Sequence, residues 1–258
     1  MRLVNAPTLG VSRETHDTIV SHSVPIGVPF WSGLAAVVVA MFVGFAAAML
    51  TAIVIALIIG ETPDFTAGHI TNTVITYAFY GASGAFGWWA LSTMQTDVLH
   101  GLARRDLRVA VVGIGIVFAA RIIGGLILVA VNLGNHVQAG FEKFSLTTPQ
   151  PSTTALAAIA AFISLVIIGP IVEEVVFRGL LFGALSRPLG VAFGAVVSGL
   201  IFGALHGDWV FFPFIAALGI VNAVVYARTH NLAVPIVVHA ANNLLASLFL
   251  IPLALHGN

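Results

Sequence analysis

Seven apolar stretches, near residues 31–59, 70–94, 108–132, 153–186, 189–206, 211–226 and 232–252, occupy most of this 258-residue chain. About 20 apolar residues in helical form are enough to cross the hydrocarbon core of a bilayer. Hydrophobic residues make up 59% of the chain and charged residues 8%, whereas a soluble domain carries about 25% charged residues. So few charges cannot cover a surface in water, so most of this surface faces lipid. The predicted fold is all-α, a polytopic transmembrane helix bundle. The fourth stretch is too long for one simple span, and Gly169-Pro170 within it is expected to kink or break it. The count is then seven or eight spans.

The positive charges test this division. Arg2 and Arg13 precede the first stretch, Arg104, Arg105 and Arg108 flank the third, and Arg187 and Arg228 fall between later ones. With seven spans all of these lie on one side. The other side holds Lys143 beside Glu61, Asp64, Glu142 and Asp208. This asymmetry places the N-terminus in the cytoplasm, with the plasma membrane as the expected location. Residues 1–27 are mixed and polar and read as a cytoplasmic tail without a cleaved signal. Residues 28–258 read as a single transmembrane domain. A net charge of zero gives no support for binding nucleic acid. The absence of cysteine excludes disulfides and thiolate chemistry.

Glycines four apart concentrate in the second half: Gly179 and Gly183, Gly190 and Gly194, Gly199 and Gly203, Gly203 and Gly207. Such spacing lets helix backbones approach closely in lipid. Residues 153–252 are therefore expected to form a tight core, with the first three spans as a surround.

Ionisable residues at membrane depth cost free energy and mark functional sites. Glu174 and Arg178 are four apart, share a helix face and are in the favourable order for an ion pair. Glu173, about 100° around the helix, is left without a local partner. His206 ends the fifth stretch, and His239 and Asn243 share a face of the last. From three helices, Glu173, His206, His239 and Asn243 can converge on one point. A glutamate and a histidine can deprotonate a water, and a histidine and an asparagine can donate to an oxyanion. Alternatively, Glu173, His206 and His239 form a zinc ligand set with a position open for water. Arg121 reads as structural, paired across helices or snorkelling. Asn222 reads as interhelical glue, and Asn242 as a packing or capping residue.

The three motifs, Glu-Glu-x-x-x-Arg at 173–178, Phe-x-x-x-His at 202–206 and His-x-x-x-Asn at 239–243, resemble the CAAX protease and bacteriocin-processing (CPBP, or Abi) family. That family includes the type II CAAX prenyl endopeptidases. The resemblance covers residues 153–252. It implies an intramembrane endopeptidase in which Glu173 and His206 activate water and His239 and Asn243 stabilise the oxyanion. Glu174 and Arg178 would then be the supporting pair. The implied partner is a peptide or protein substrate, with prenylated C-terminal peptides as one class, met within the lipid bilayer. Members are also described as metalloproteases. A mechanism without a cofactor is favoured, since Asn243 suits a hydrogen-bond donor better than a ligand, and zinc is the alternative. Two other functions compete: a non-catalytic membrane scaffold or bacteriocin-immunity protein, and a proton- or ion-coupled transporter.

Overall fold

A computed structural model describes residues 28–59, 65–131, 159–160 and 162–256. The expected tail at 1–27, the acidic Glu61, Asp64 and Glu142, and Lys143 lie outside the described residues, as do residues 153–158 of the expected core. Among the described residues there is helix and no strand. The first helices are α1 (Phe30–Ile59), α2 (Phe65–Thr93) and α3 (Arg104–Ala130). A helical run then reads as a π-helical turn (Ser164–Ile168), α4 (Gly169–Glu174), a longer π-helical stretch (Val175–Phe182) and α5 (Gly183–Leu205), the last of which is interrupted at Gly190. Helices α6 (Phe212–Thr229) and α7 (Ala233–His256) follow. A helix satisfies its backbone within itself, which lipid requires.

Phe30–Ile58, Arg104–Ala130, Ser164–Leu205 and Phe212–Thr229 are long and apolar enough to cross a membrane, and Ala233–Ser247 is a shorter apolar helix. Their outer faces present large apolar side chains, with Leu57 81% exposed and Phe193 70% exposed. In water such a surface would be untenable. The chain is a multi-pass integral membrane protein.

Gly169-Pro170 does not break the fourth stretch. Proline removes one backbone donor, and the π-helical turn before it absorbs the loss. Gly169 N–H already bonds back five residues to the Ser164 carbonyl, so the next bond in that register would run from residue 170 to Leu165. Pro170 cannot make it, and the Leu165 carbonyl is left for a side chain. The run turns back instead at Gly190, whose φ of 74° and ψ of 166° lie outside the helical region. The two arms then pack so closely that a Cβ on Gly194 would lie 2.9 Å from the Ser186 Cα.

Two of the expected glycine contacts are present where helices cross. A Cβ on Gly199 would meet the Ile220 backbone nitrogen at 2.6 Å, and one on Gly203 the Ala216 backbone nitrogen at 3.0 Å. Together they draw α5 onto α6. Gly190 and Gly207 serve differently: both have positive φ and open space where a Cβ would stand, so they make turns, not helix contacts.

One end of the bundle is tied by polar bonds. Leu232 N–H donates to the Val98 carbonyl at 2.8 Å, and Asn231 Nδ2 to the His100 carbonyl at 2.9 Å. Burial, with Arg105 and His100 nearby, holds the His230 imidazole below its ordinary range. The exposed Arg104, Arg105 and Arg228 lie at the helix ends that meet here.

Gly199→Ala forces a methyl group into the α5–α6 backbone contact and is expected to cost about 1–3 kcal/mol. Gly115, where a Cβ meets nothing within 4 Å, supplies the control. Thermal unfolding in detergent checks this: the midpoint falls for Gly199→Ala and not for Gly115→Ala. Equal midpoints would contradict the packing role.

Candidate functional site

Adjacent carboxylates, Glu173 and Glu174, leave the end of α4 in different directions and meet different surroundings. Glu174 is fully buried. Its Oε2 lies 2.9 Å from Arg178 Nε. Its Oε1 accepts from Asn222 Nδ2 at 2.9 Å and lies 2.9 Å from His239 Nδ1. Side chains from α6, α7 and the π-helical stretch therefore close around one oxygen pair. The Arg178 guanidinium also donates from Nη2 to the Gly219 carbonyl at 3.3 Å and stacks 4.6 Å above the Phe202 ring. The ion pair expected from the four-residue spacing is thus present, and it reaches further than the spacing implies.

Glu173 keeps an 18% exposed side chain. Tyr80 of α2 donates its hydroxyl to Glu173 Oε1 at 2.9 Å. On the other side, His239 Nε2 stands 3.7 Å from Glu173 Oε2. His239 thus bridges the two carboxylates, with Nδ1 toward the buried one and Nε2 toward the accessible one. Donation from Nδ1 to Glu174 fixes the tautomer, so a neutral ring presents a lone pair at Nε2 and a protonated ring presents a donor. Gly169 leaves room for the Tyr80 hydroxyl, since a Cβ there would stand 3.2 Å from it.

His206 closes α5, and its Nδ1 lies 2.7 Å from the Phe202 carbonyl. As Nδ1 donates there, Nε2 is left as an acceptor. The Phe202 ring touches both imidazoles edge to face, with centroids 4.7 Å from His206 and 5.8 Å from His239. Asn243 Nδ2 donates to the Leu165 carbonyl at 3.0 Å, the acceptor that Pro170 leaves without a backbone donor. Asn242 donates in turn to Asn243 Oδ1 at 2.9 Å. An amide nitrogen carries two hydrogens, so Asn243 keeps one for another acceptor while its plane is fixed from both ends.

Glu173, His206, His239 and Asn243 all line one cavity of about 580 Å³. The four residues picked from three separate motifs are thereby brought together. Tyr80 and Arg121 line it as well, and sequence reasoning assigned neither to the site. Helices α2 and α3, expected as surround, contribute directly to the cavity wall. Asn222 does join helices, through Glu174 and the Pro235 carbonyl at 3.4 Å.

A carboxylate behind a histidine, as Glu174 stands behind His239, is an arrangement that metal sites also use. Yet among the described residues no three His, Asp or Glu side chains group closely enough to hold a metal ion. The set of Glu173, His206 and His239, as arranged, does not fit a three-ligand zinc centre.

Residues 155–245 match the family model of type II CAAX prenyl endopeptidase Rce1-like proteins. The chain is 31% identical over 140 residues to the membrane-embedded CAAX protease MroQ of Staphylococcus aureus, which covers 52% of this chain and 54% of that protein. It is also 31% identical over 137 residues to YdiL of Bacillus subtilis, whose name describes it as a candidate membrane peptidase, covering 51% of this chain and 55% of that protein. The chain thus spans about half the length of the curated relatives it matches. No solved structure matches it.

Removing one partner of a fully buried ion pair leaves a bare charge and costs roughly 3–5 kcal/mol. Arg178→Met is therefore expected to unfold the protein at a much lower temperature in detergent. The double change Glu174→Gln with Arg178→Met is expected to recover part of that loss. A double variant that falls by the sum of the single effects would contradict the pairing.

Proposed function

We propose, on the premise that residues 155–245 form an Rce1-like domain, that the chain is an intramembrane endopeptidase that hydrolyses peptide bonds with an activated water. The observation that carries this reading is the shared cavity: Glu173, His206, His239 and Asn243 line one space inside the bundle. The matched family and the protease names of the relatives supply the reaction class.

In this account Glu173 is the general base, acting with the Nε2 of His206 on a water held between them. Tyr80 orients the Glu173 carboxylate through its 2.9 Å hydrogen bond. The water loses a proton to the base, and its oxygen attacks the peptide carbonyl carbon. Negative charge then develops on the carbonyl oxygen, where the spare Asn243 N–H donates and the His239 ring, in its protonated form, donates from Nε2. The bond to nitrogen breaks, and the departing amine takes the proton. Glu174 and Arg178 do not touch substrate; they hold His239 in orientation. No step is assigned to a metal.

The substrate is a peptide or protein segment that enters from the bilayer, and a prenylated C-terminal peptide is the class the family name suggests. The expected location is the plasma membrane, and the arginine asymmetry supports an N-terminus in the cytoplasm. Residues 153–252 are taken as the catalytic core, completed by α2 and α3.

Glu173→Gln removes the base while keeping the shape, and turnover of a farnesylated CAAX peptide is expected to fall roughly 10²–10⁴-fold with thermal unfolding unchanged. Wild-type rates from the Gln variant would sink the assignment. Tyr80→Phe deletes one hydrogen bond to a charged group and is expected to cost roughly 10–100-fold in kcat. A strong zinc chelator is expected to leave the wild-type rate unchanged. Inhibition that added zinc reverses would move the mechanism to a metal.

A further inference from the structure

Arg121 lies on α3, outside the matched residues 155–245, and lines the same cavity as Glu173, His206 and His239. It is the only lysine or arginine among the lining residues. Arg121 also forms no ion pair with another described residue. The two carboxylates that share the cavity are engaged elsewhere. Glu173 accepts from Tyr80 and lies beside His239. Asp208 Oδ1 accepts the backbone N–H groups of Val210 at 3.0 Å and Phe211 at 3.2 Å, at the start of α6. The surrounding wall is apolar, with Ile114, Val117, Phe118, Phe214 and Leu218.

An arginine in an apolar wall at membrane depth is costly and is normally paired or functional. This one faces a ligand-sized space. A guanidinium presents a planar fork that matches a carboxylate with two parallel hydrogen bonds. A phosphate would bring more negative charge against Glu173 and Asp208 than a single carboxylate does.

We propose that Arg121 binds the free carboxylate of a peptide held in the cavity, the C-terminal one, and so selects chains that end shortly beyond the bond facing Glu173. The place of that bond rests on the endopeptidase reading; carboxylate binding does not. Arg121 is then a specificity residue, and Glu173 and His206 remain the reacting groups.

A binding experiment separates the two. A mixed hexapeptide pool is prepared with free C-terminal carboxylates and again with C-terminal amides. Retention on immobilised wild-type and Arg121→Gln protein in detergent is read by mass spectrometry. Wild type is expected to prefer the acid pool by roughly 10–100-fold, and Arg121→Gln to retain both pools alike. Arg121→Lys keeps the charge without the fork and is expected to hold an intermediate preference, which decides the matter if the Gln variant does not fold. Equal retention of acid and amide by wild type overturns the proposal, as does a preference that survives in Arg121→Gln. Retention tied to internal Asp or Glu, whatever the terminus, overturns the C-terminal assignment. Phospholipid bound by wild type and lost from Arg121→Gln, with no peptide preference, assigns the arginine to lipid instead. Acid-selective binding without any cleavage would leave the anchor standing and sink the endopeptidase reading.

Discussion

Glu174 is a carboxylate with no exposed surface, and the site is assembled around it. A buried charge of this kind is tolerated only when it is paired and hydrogen-bonded. Here Arg178, Asn222 and His239 supply those partners from three segments of the chain. The requirement runs in both directions. The carboxylate needs its donors, and the donors can reach it only if α6, α7 and the π-helical stretch hold one relative position. The cluster therefore fixes helix register as well as charge. It also fixes which nitrogen of His239 faces the cavity, so a structural ion pair sets the orientation of a side chain that lines it. Glu173, one residue earlier, faces the opposite environment and stays partly open. Two identical side chains thus receive different work from their surroundings.

The backbone makes this closeness possible. Gly199 and Gly203 bring α5 against α6 at separations that a side chain would prevent, which places Phe202 between Arg178, His206 and His239. The π-helical turn before Pro170 does a second service. It carries the helix through proline without a break and leaves the Leu165 carbonyl open, and Asn243 is anchored on that carbonyl. A backbone irregularity thereby positions a side chain 78 residues away. Departures from α-helical geometry of this sort are frequent at functional sites.

Much of the site was legible because its signals are local. Glu174 and Arg178 are four apart, as are His239 and Asn243, and a charge in an apolar run stands out whatever its partners. The apolar stretches likewise foretold the helices, although the turn expected between residues 186 and 189 falls at Gly190 instead. What stayed hidden depends on distant partners. Tyr80 is an aromatic among many, and its bond to Glu173 spans 93 residues of sequence. Arg121 looked like a snorkelling or paired charge because no sequence pattern reports a cavity. Gly169-Pro170 read as a kink or a break, since the π-helical adjustment that carries the helix through it has no signature of its own. Gly190 and Gly207 matched a helix-contact spacing while their backbones make turns.

The central claim is that Glu173 and His206 act on the same water, so that neither works without the other. The most direct measurement is a double-mutant cycle on peptide cleavage with Glu173→Gln, His206→Ala and the two combined. Groups that act as a unit are strongly non-additive. The account predicts that the double variant retains about the same residual kcat/KM as the slower single variant. Losses that multiply across the two positions would mean that the residues act independently, and would contradict it.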